Sequence, residues 1–198
     1  MTQHIKDVWL LGICMTIICA AEPSLAAKGD EIRVQGPNST YKIAPTENVK
    51  NWTLKGPGMN GFALEARENG SWVVLDPAQQ IRQRSKKTEN RDMEVLDPEG
   101  KLRHSVAFGS NGFKVLYPDG RVLCRIQIVD KQNFEIYDAK NSMIMTGRAK
   151  GKTITVKDVT TKQRLFKIKG KLTIEDGAFF AIPLQFTETV VIWKTAQD

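Results

Sequence analysis

The sequence predicts a mainly β protein: a closed antiparallel barrel of about 12 strands, built from 20–21-residue hairpin repeats, with a hydrophobic C-terminal helix inside it. Three observations carry that expectation. A five-residue phrase recurs as Trp72-Val-Val-Leu-Asp76, Met93-Glu-Val-Leu-Asp97, Phe113-Lys-Val-Leu-Tyr117, Phe134-Glu-Ile-Tyr-Asp138 and Ile154-Thr-Val-Lys-Asp158. Its anchor positions 76, 97, 117, 138 and 158 are 21, 20, 21 and 20 residues apart. The chain then closes on an apolar stretch of different period, from Ala178 to Trp193.

The first residues read as a leader. Val8 to Ala21 is an apolar run of 14 residues, too short for a spanning helix. Lys6 precedes it, and Ser24-Leu-Ala26 has the small-x-small form of a cleavage site. Residues 1–26 are therefore expected to be a secretory signal peptide, cut after Ala26 or Ala27; the competing reading is an uncleaved N-terminal anchor. Neither Cys14 nor Cys19 follows a small residue, as a lipoprotein cleavage site requires. Cleavage leaves Cys124 as the one cysteine of the remaining chain, so no intramolecular disulfide is expected. An exported chain of that kind suits a bacterial periplasm, and the expected location is periplasmic or secreted. Once the signal is cut, no integral membrane segment is expected.

Residues 27–60 are rich in Gly, Pro, Asn, Thr and Lys and read as an extended arm with one or two short strands. The barrel is expected over 61–198. Phe62-Ala-Leu-Glu-Ala-Arg67 and Ser71-Trp-Val-Val-Leu75 flank Glu68-Asn69-Gly70, and Asn-Gly between alternating apolar residues marks a hairpin. Trp52-Thr-Leu-Lys55 and Lys171-Leu-Thr-Ile174 are further candidate strands.

In each repeat the residues four and two before the anchor are apolar, and the residue between them is mostly polar: a strand with one buried face. Turn residues follow, such as Asp97-Pro-Glu-Gly100. Asp bonds its own backbone, Pro presets φ, and Gly or Asn takes φ > 0 at the third position after the anchor. Gln79 and Thr160-Thr161 break this pattern, so the first and last repeats are expected to have looser or different loops. A second strand completes each hairpin; in Arg121–Ile128 the residues Val122, Cys124, Ile126 and Ile128 share a face. A lone hairpin is marginal in water, so neighbouring hairpins must pair edge to edge.

At the C-terminal end Phe179, Ile182, Phe186, Val190 and Trp193 step by 3, 4, 4 and 3, a helical stripe that Pro183 kinks or restarts. The β-branched content of Thr187–Lys194 also allows a strand there. A helix apolar on nearly all sides belongs in the lumen.

Phe134-Glu-Ile-Tyr-Asp138, Asp97-Pro-Glu-Gly100 and Tyr117-Pro-Asp-Gly120 resemble the hairpins of the tubby C-terminal-like superfamily, which includes the LURP-one-related proteins and the phospholipid scramblases. The resemblance covers roughly residues 41 to 196. It implies a 12-stranded barrel around a hydrophobic C-terminal helix, and binding of an anionic lipid or apolar ligand. No lipid-contact motif of that superfamily matches residue by residue, so it transfers no site. The secretory leader departs from its mostly intracellular members. The YD-type repeat of bacterial secreted proteins has a similar period, and it implies a structural or protein-interaction module with no small ligand.

Few residues suggest chemistry. His104 has no Ser or Cys placed beside it by a motif, and it reads as a strand histidine. Cys124 reads as a small core hydrophobe. The recurring Asp residues are explained by turn capping. No catalytic residue, metal site or cofactor is expected, and the chain is not read as an enzyme. Removing Lys6, Asp7 and Glu22 from the 29 basic and 22 acidic residues leaves 28 and 20, a net charge of +8. Such a chain suits anionic lipid or an envelope polymer, with a protein partner as the alternative; nucleic acid is not expected in an exported protein. Arg82, Arg103 and Arg164 each stand six residues after an anchor and, with Arg84, form a candidate ligand-binding stripe on one barrel face.

Overall fold

The computed structural model describes residues 31–36, 40–46, 51–56, 60–67, 71–88 and 92–181. Fourteen strands run as an antiparallel meander that closes on itself. They are β1 (Ile32–Gln35), β2 (Thr40–Pro45), β3 (Asn51–Lys55), β4 (Ala63–Ala66), β5 (Trp72–Leu75), β6 (Ile81–Lys87) and β7 (Met93–Leu96). The circuit continues through β8 (Leu102–Gly109), β9 (Gly112–Leu116), β10 (Val122–Ile128), β11 (Asn133–Asp138), β12 (Met143–Lys150), β13 (Thr153–Asp158) and β14 (Arg164–Lys169). Closure is the pairing of β1 with β14, Val34 opposite Ile168.

The count of 14 corrects the expected 12. The segment 27–60, expected as an arm, supplies β1, β2 and β3 to the barrel wall, which therefore begins at Ile32 rather than at 61. These strands escape the repeat because each carries only two inward residues: Ile32 and Val34, Tyr41 and Ile43, Trp52 and Leu54. All six are almost completely buried. Burying each such side chain contributes about 1.5–3 kcal/mol, which short strands realise only when a closed sheet covers both edges.

The five repeats are β5–β6, β7–β8, β9–β10, β11–β12 and β13–β14. Four turns share one geometry, closed by Asp76 N–H to Gln80 O, Asp97 to Lys101, Tyr117 to Arg121 and Asp138 to Ser142, at 2.9–3.0 Å. Positive φ falls on Gln79 (63°), Gly100 (88°), Gly120 (83°) and Asn141 (65°). Gln79 thus takes the same backbone as glycine, contrary to the expected looser first loop. The last turn does differ: Asp158 N–H reaches Gln163 O, one residue further on, and Lys162 takes the positive φ of 60°.

Each second strand then breaks register once. Leu75 pairs with Ile81 but Val74 with Gln83, leaving Arg82 as the extra residue of a β-bulge. The equivalent extra residues are Arg103, Leu123, Ile144 and Leu165. The longer last turn shifts the phase by one, so Leu165, not Arg164, is the counterpart of Arg82 and Arg103.

Helix α1 (Ile174–Ala181) packs against β10 to β14. Gly177 lies on Ile154, whose side chain shares the inward face, so these turns of α1 occupy the lumen side of that wall. Ala178 and Ala181 are fully buried. Lys171-Leu-Thr-Ile174 is not the expected last strand. It leads into α1, whose first turn carries Glu175 and Asp176 behind Thr173, a start that favours helix over strand. Ile182, Pro183, Phe186, Val190 and Trp193, and the rival strand at 187–194, lie outside the described residues, as does the leader.

Candidate functional site

Alternation places Gln83 and Ser85 of β6, Val95 of β7 and His104 of β8 on the inward face, and registry joins them: Val74 opposite Gln83, Ser85 opposite Val95, Val95 opposite His104. All are buried; Gln83 is 3% exposed and His104 5%. Around them the wall is apolar, with Leu64, Val74, Met93 and Val106. Among the described residues Gln83 finds no hydrogen-bond partner for either its amide nitrogen or its amide oxygen. Nδ1 of His104 has none either. Buried amides and imidazoles are nearly always paired, so an orphan pair on one wall is a specific feature.

Burial holds the His104 pKa below its ordinary value, against a hydrogen bond to the Leu116 backbone; the Arg103 charge adds to the lowering. The imidazole is therefore neutral near pH 7, and its unpartnered Nδ1 is an acceptor. The Tyr117 ring lies 5.9 Å away, centroid to centroid. With the Gln83 amide, this wall offers one NH2 group, with two N–H donors, and two acceptor atoms within an apolar lumen. It offers no Ser–His dyad, because Nδ1 bonds nothing and Ser85 stands two strands away, about 10 Å along the sheet.

Cys124 is fully buried, and burial pushes its thiol far above the ordinary range, as a core hydrophobe requires. Among the described residues no cluster of His, Cys, Asp and Glu could hold a metal ion.

The four arginines singled out by sequence separate. Arg82 donates to Asp76 Oδ2 from Nε at 2.8 Å, and its terminal nitrogen lies 2.6 Å from the same oxygen. Arg103 lies 2.8 Å from Asp97 Oδ2. Both carboxylates also accept from turn N–H groups, of Gln80 and Lys101. The Gln80 N–H, ahead of the Arg82 guanidinium, holds the Asp76 carboxyl below its ordinary pKa. A bulge that turns an arginine back onto its own turn explains both residues structurally. Arg84 reaches across to the Pro98 carbonyl at 3.1 Å, near the Arg103 pair. Arg164 is exposed opposite Lys157, six strands from Arg103 one way round the barrel and six from Arg82 the other way. The four do not form one stripe.

Gln83 was legible in principle. It occupies the repeat position held elsewhere by His104, Cys124, Met145 and Phe166, all inward. The signal was a polar side chain at an inward repeat position, visible once the bulge phase is known.

No family model matches the chain, and no curated protein matches it, so the likeness to the tubby-like superfamily rests on repeat phase, turn type and the terminal apolar segment. Among solved structures, a protein from Arabidopsis thaliana aligns with 88% of this chain and 96% of its own, at 11% identity and a TM-score of 0.38. A LolA superfamily protein from Nitrosomonas europaea aligns with 71% of this chain and 80% of its own, at 9% identity and a TM-score of 0.33. An outer membrane lipoprotein-sorting protein domain from Vibrio parahaemolyticus aligns with 82% of this chain and 95% of its own, at 11% identity and a TM-score of 0.29. At these scores the likenesses carry no inference about this chain.

Proposed function

We propose that this chain is a non-enzymatic, exported binding barrel that holds a lipid-like molecule, apolar along its length and polar at one end, at the cell envelope. The observation that carries the reading is that the Gln83 amide and His104 Nδ1, two strands apart on one apolar lumen wall, both lack a hydrogen-bond partner among the described residues. A buried polar group without a partner costs about 1–3 kcal/mol, and a ligand whose polar groups donate to His104 and bond the Gln83 amide removes that cost. Among the described residues helix α1 lines β10 to β14, on the other side of the barrel from the β6–β8 wall. Export rests on the leader pattern of residues 1–26. In this reading Arg82 and Arg103 brace their turns, and Arg84 and Arg164, outside the lumen, remain for partners.

A self-filled barrel with a purely structural role is the second reading, favoured by the close seat of Gly177, Ala178 and Ala181 in the lumen. A native mass spectrum separates the two. Protein purified without detergent from an exporting host is expected to carry an extra mass that organic extraction removes. A bare polypeptide mass before extraction would sink the ligand reading and leave the self-filled barrel.

A further inference from the structure

Barrel closure assembles a basic wall from residues that lie far apart in sequence. On the outward face Lys55 of β3 stands opposite Lys42 of β2, Lys42 opposite Arg33 of β1, and Arg33 opposite Lys169 of β14. The row crosses four adjacent strands, about 14 Å at sheet spacing. Lys167 on β14 and the facing pair Lys157 and Arg164 extend it onto β13. The acidic residue on these five strands is Asp158, the half-exposed last residue of β13, which accepts from the Thr161 N–H and hydroxyl of its own turn; the one ion pair in the row among the described residues is that of Arg33 with Glu31, just before β1. Lys42, Lys55, Lys157, Arg164, Lys167 and Lys169 form no ion pair among the described residues. Like charges directly opposite in a sheet are destabilising, so the fold carries this row against its own stability.

We propose that this wall is a docking surface for a linear anionic polysaccharide. Three features select that partner. The cations span four of the fourteen steps round a closed barrel, an arc of about 100°, which a flexible chain follows and a flat bilayer touches only in part. The outward residues between them are chiefly Thr40, Thr53, Thr153, Thr155, Gln35 and Asn51, hydroxyls and amides that match sugar hydroxyls. None is aromatic, whereas single-stranded nucleic acid is held by stacking on aromatic side chains. The surface is separate from the lumen site, and its test does not depend on what the lumen holds.

The test is fluorescence anisotropy of a labelled heparin fragment with the full protein over a salt series. Wild type is expected to bind with steep salt dependence, through counterion release. Arg33→Gln, Lys42→Gln, Lys55→Gln and Lys169→Gln together are expected to weaken binding at least about tenfold, with the thermal midpoint unchanged or raised because the facing charges are gone. Lys101→Gln, Lys114→Gln, Lys131→Gln and Lys140→Gln remove the same charge elsewhere and are expected to weaken it by about twofold or less. Equal losses in the two variants overturn the proposal, since net charge then explains the binding. Tighter binding to phosphatidylglycerol vesicles, or to oligodeoxythymidine, than to heparin overturns it in favour of a membrane or nucleic acid. If the fourfold variant fails to fold, Lys42→Gln alone, at the centre of the row, must still weaken binding more than Lys114→Gln.

Discussion

Replacing Gln83 by Leu tests the lumen site through stability as well as binding. Leucine is close to glutamine in size and fits an inward position whose neighbours are Leu64 and Val74. The wild-type side chain is 3% exposed and leaves two polar atoms unpaired. Each buried unsatisfied group costs about 1–3 kcal/mol, so Gln83→Leu is expected to stabilise the ligand-free protein by about 1–3 kcal/mol. For a chain of this size each kcal/mol moves the thermal midpoint by about 2–4 °C. The assay is urea denaturation of organically extracted protein, so that a ligand bound to wild type alone does not mask the gain. The urea slope is expected to stay constant and the midpoint to rise. The same variant is expected to lose any co-purified mass. Met145→Leu, at the equivalent repeat position, changes no polar group and is expected to shift stability by less than about 1.5 kcal/mol. A ligand-free Gln83→Leu protein less stable than wild type would refute the reasoning, because the amide must then be satisfied.

Further outcomes follow from the turns, the core and the titrating groups. Gln79 holds φ at 63° in a turn built for glycine, so Gln79→Gly is expected to gain about 0.5–1 kcal/mol, read as a higher melting midpoint; a loss would show that the side chain matters more than the backbone. A Cβ at Gly147 would sit 2.0 Å from Cζ of the fully buried Phe134 ring, so Gly147→Ala is expected to cost about 1–3 kcal/mol, with Phe134→Leu in the same background recovering part of it. His104 has a lowered pKa in the folded state, so its contribution is complete above pH 6.5 and declines as the pH falls from there toward the folded value; His104→Gln is expected to flatten that limb of a midpoint-against-pH curve. The Asp76 carboxyl is likewise held low by its turn, so its contribution is complete above pH 3.8 and is lost on further acidification, a decline that Asp76→Asn removes.

The repeat itself was legible because its signals are local. Phe113, Val115 and Tyr117 alternate within one strand, and Pro118-Asp119-Gly120 sets the following turn, so each hairpin is written in about 20 contiguous residues. The last turn shows the limit of local reading. Thr160-Thr161 signals a different loop, but its extra residue is visible only in the hydrogen bond from Asp158 to Gln163. That single residue moves Arg164 off the bulge and puts Leu165 there.

Sequence alone determined the β class, the antiparallel hairpin unit and its inward positions, because alternation and turn chemistry act over a few residues. It also located an apolar terminal segment, whose first four residues, 178–181, end helix α1. Tertiary structure decided the strand count, since β1 to β3 are placed in the wall by pairing along the sheet and by β14 across the closing seam. It decided the roles of Arg82 and Arg103, since a bulge turns each onto its own aspartate. It decided which polar groups lie unpaired in the lumen among the described residues, and it set Lys55, Lys42, Arg33 and Lys169 side by side across the closing seam. These are contacts between residues up to 136 positions apart, from Arg33 to Lys169, and no local pattern encodes a pairing that only ring closure creates.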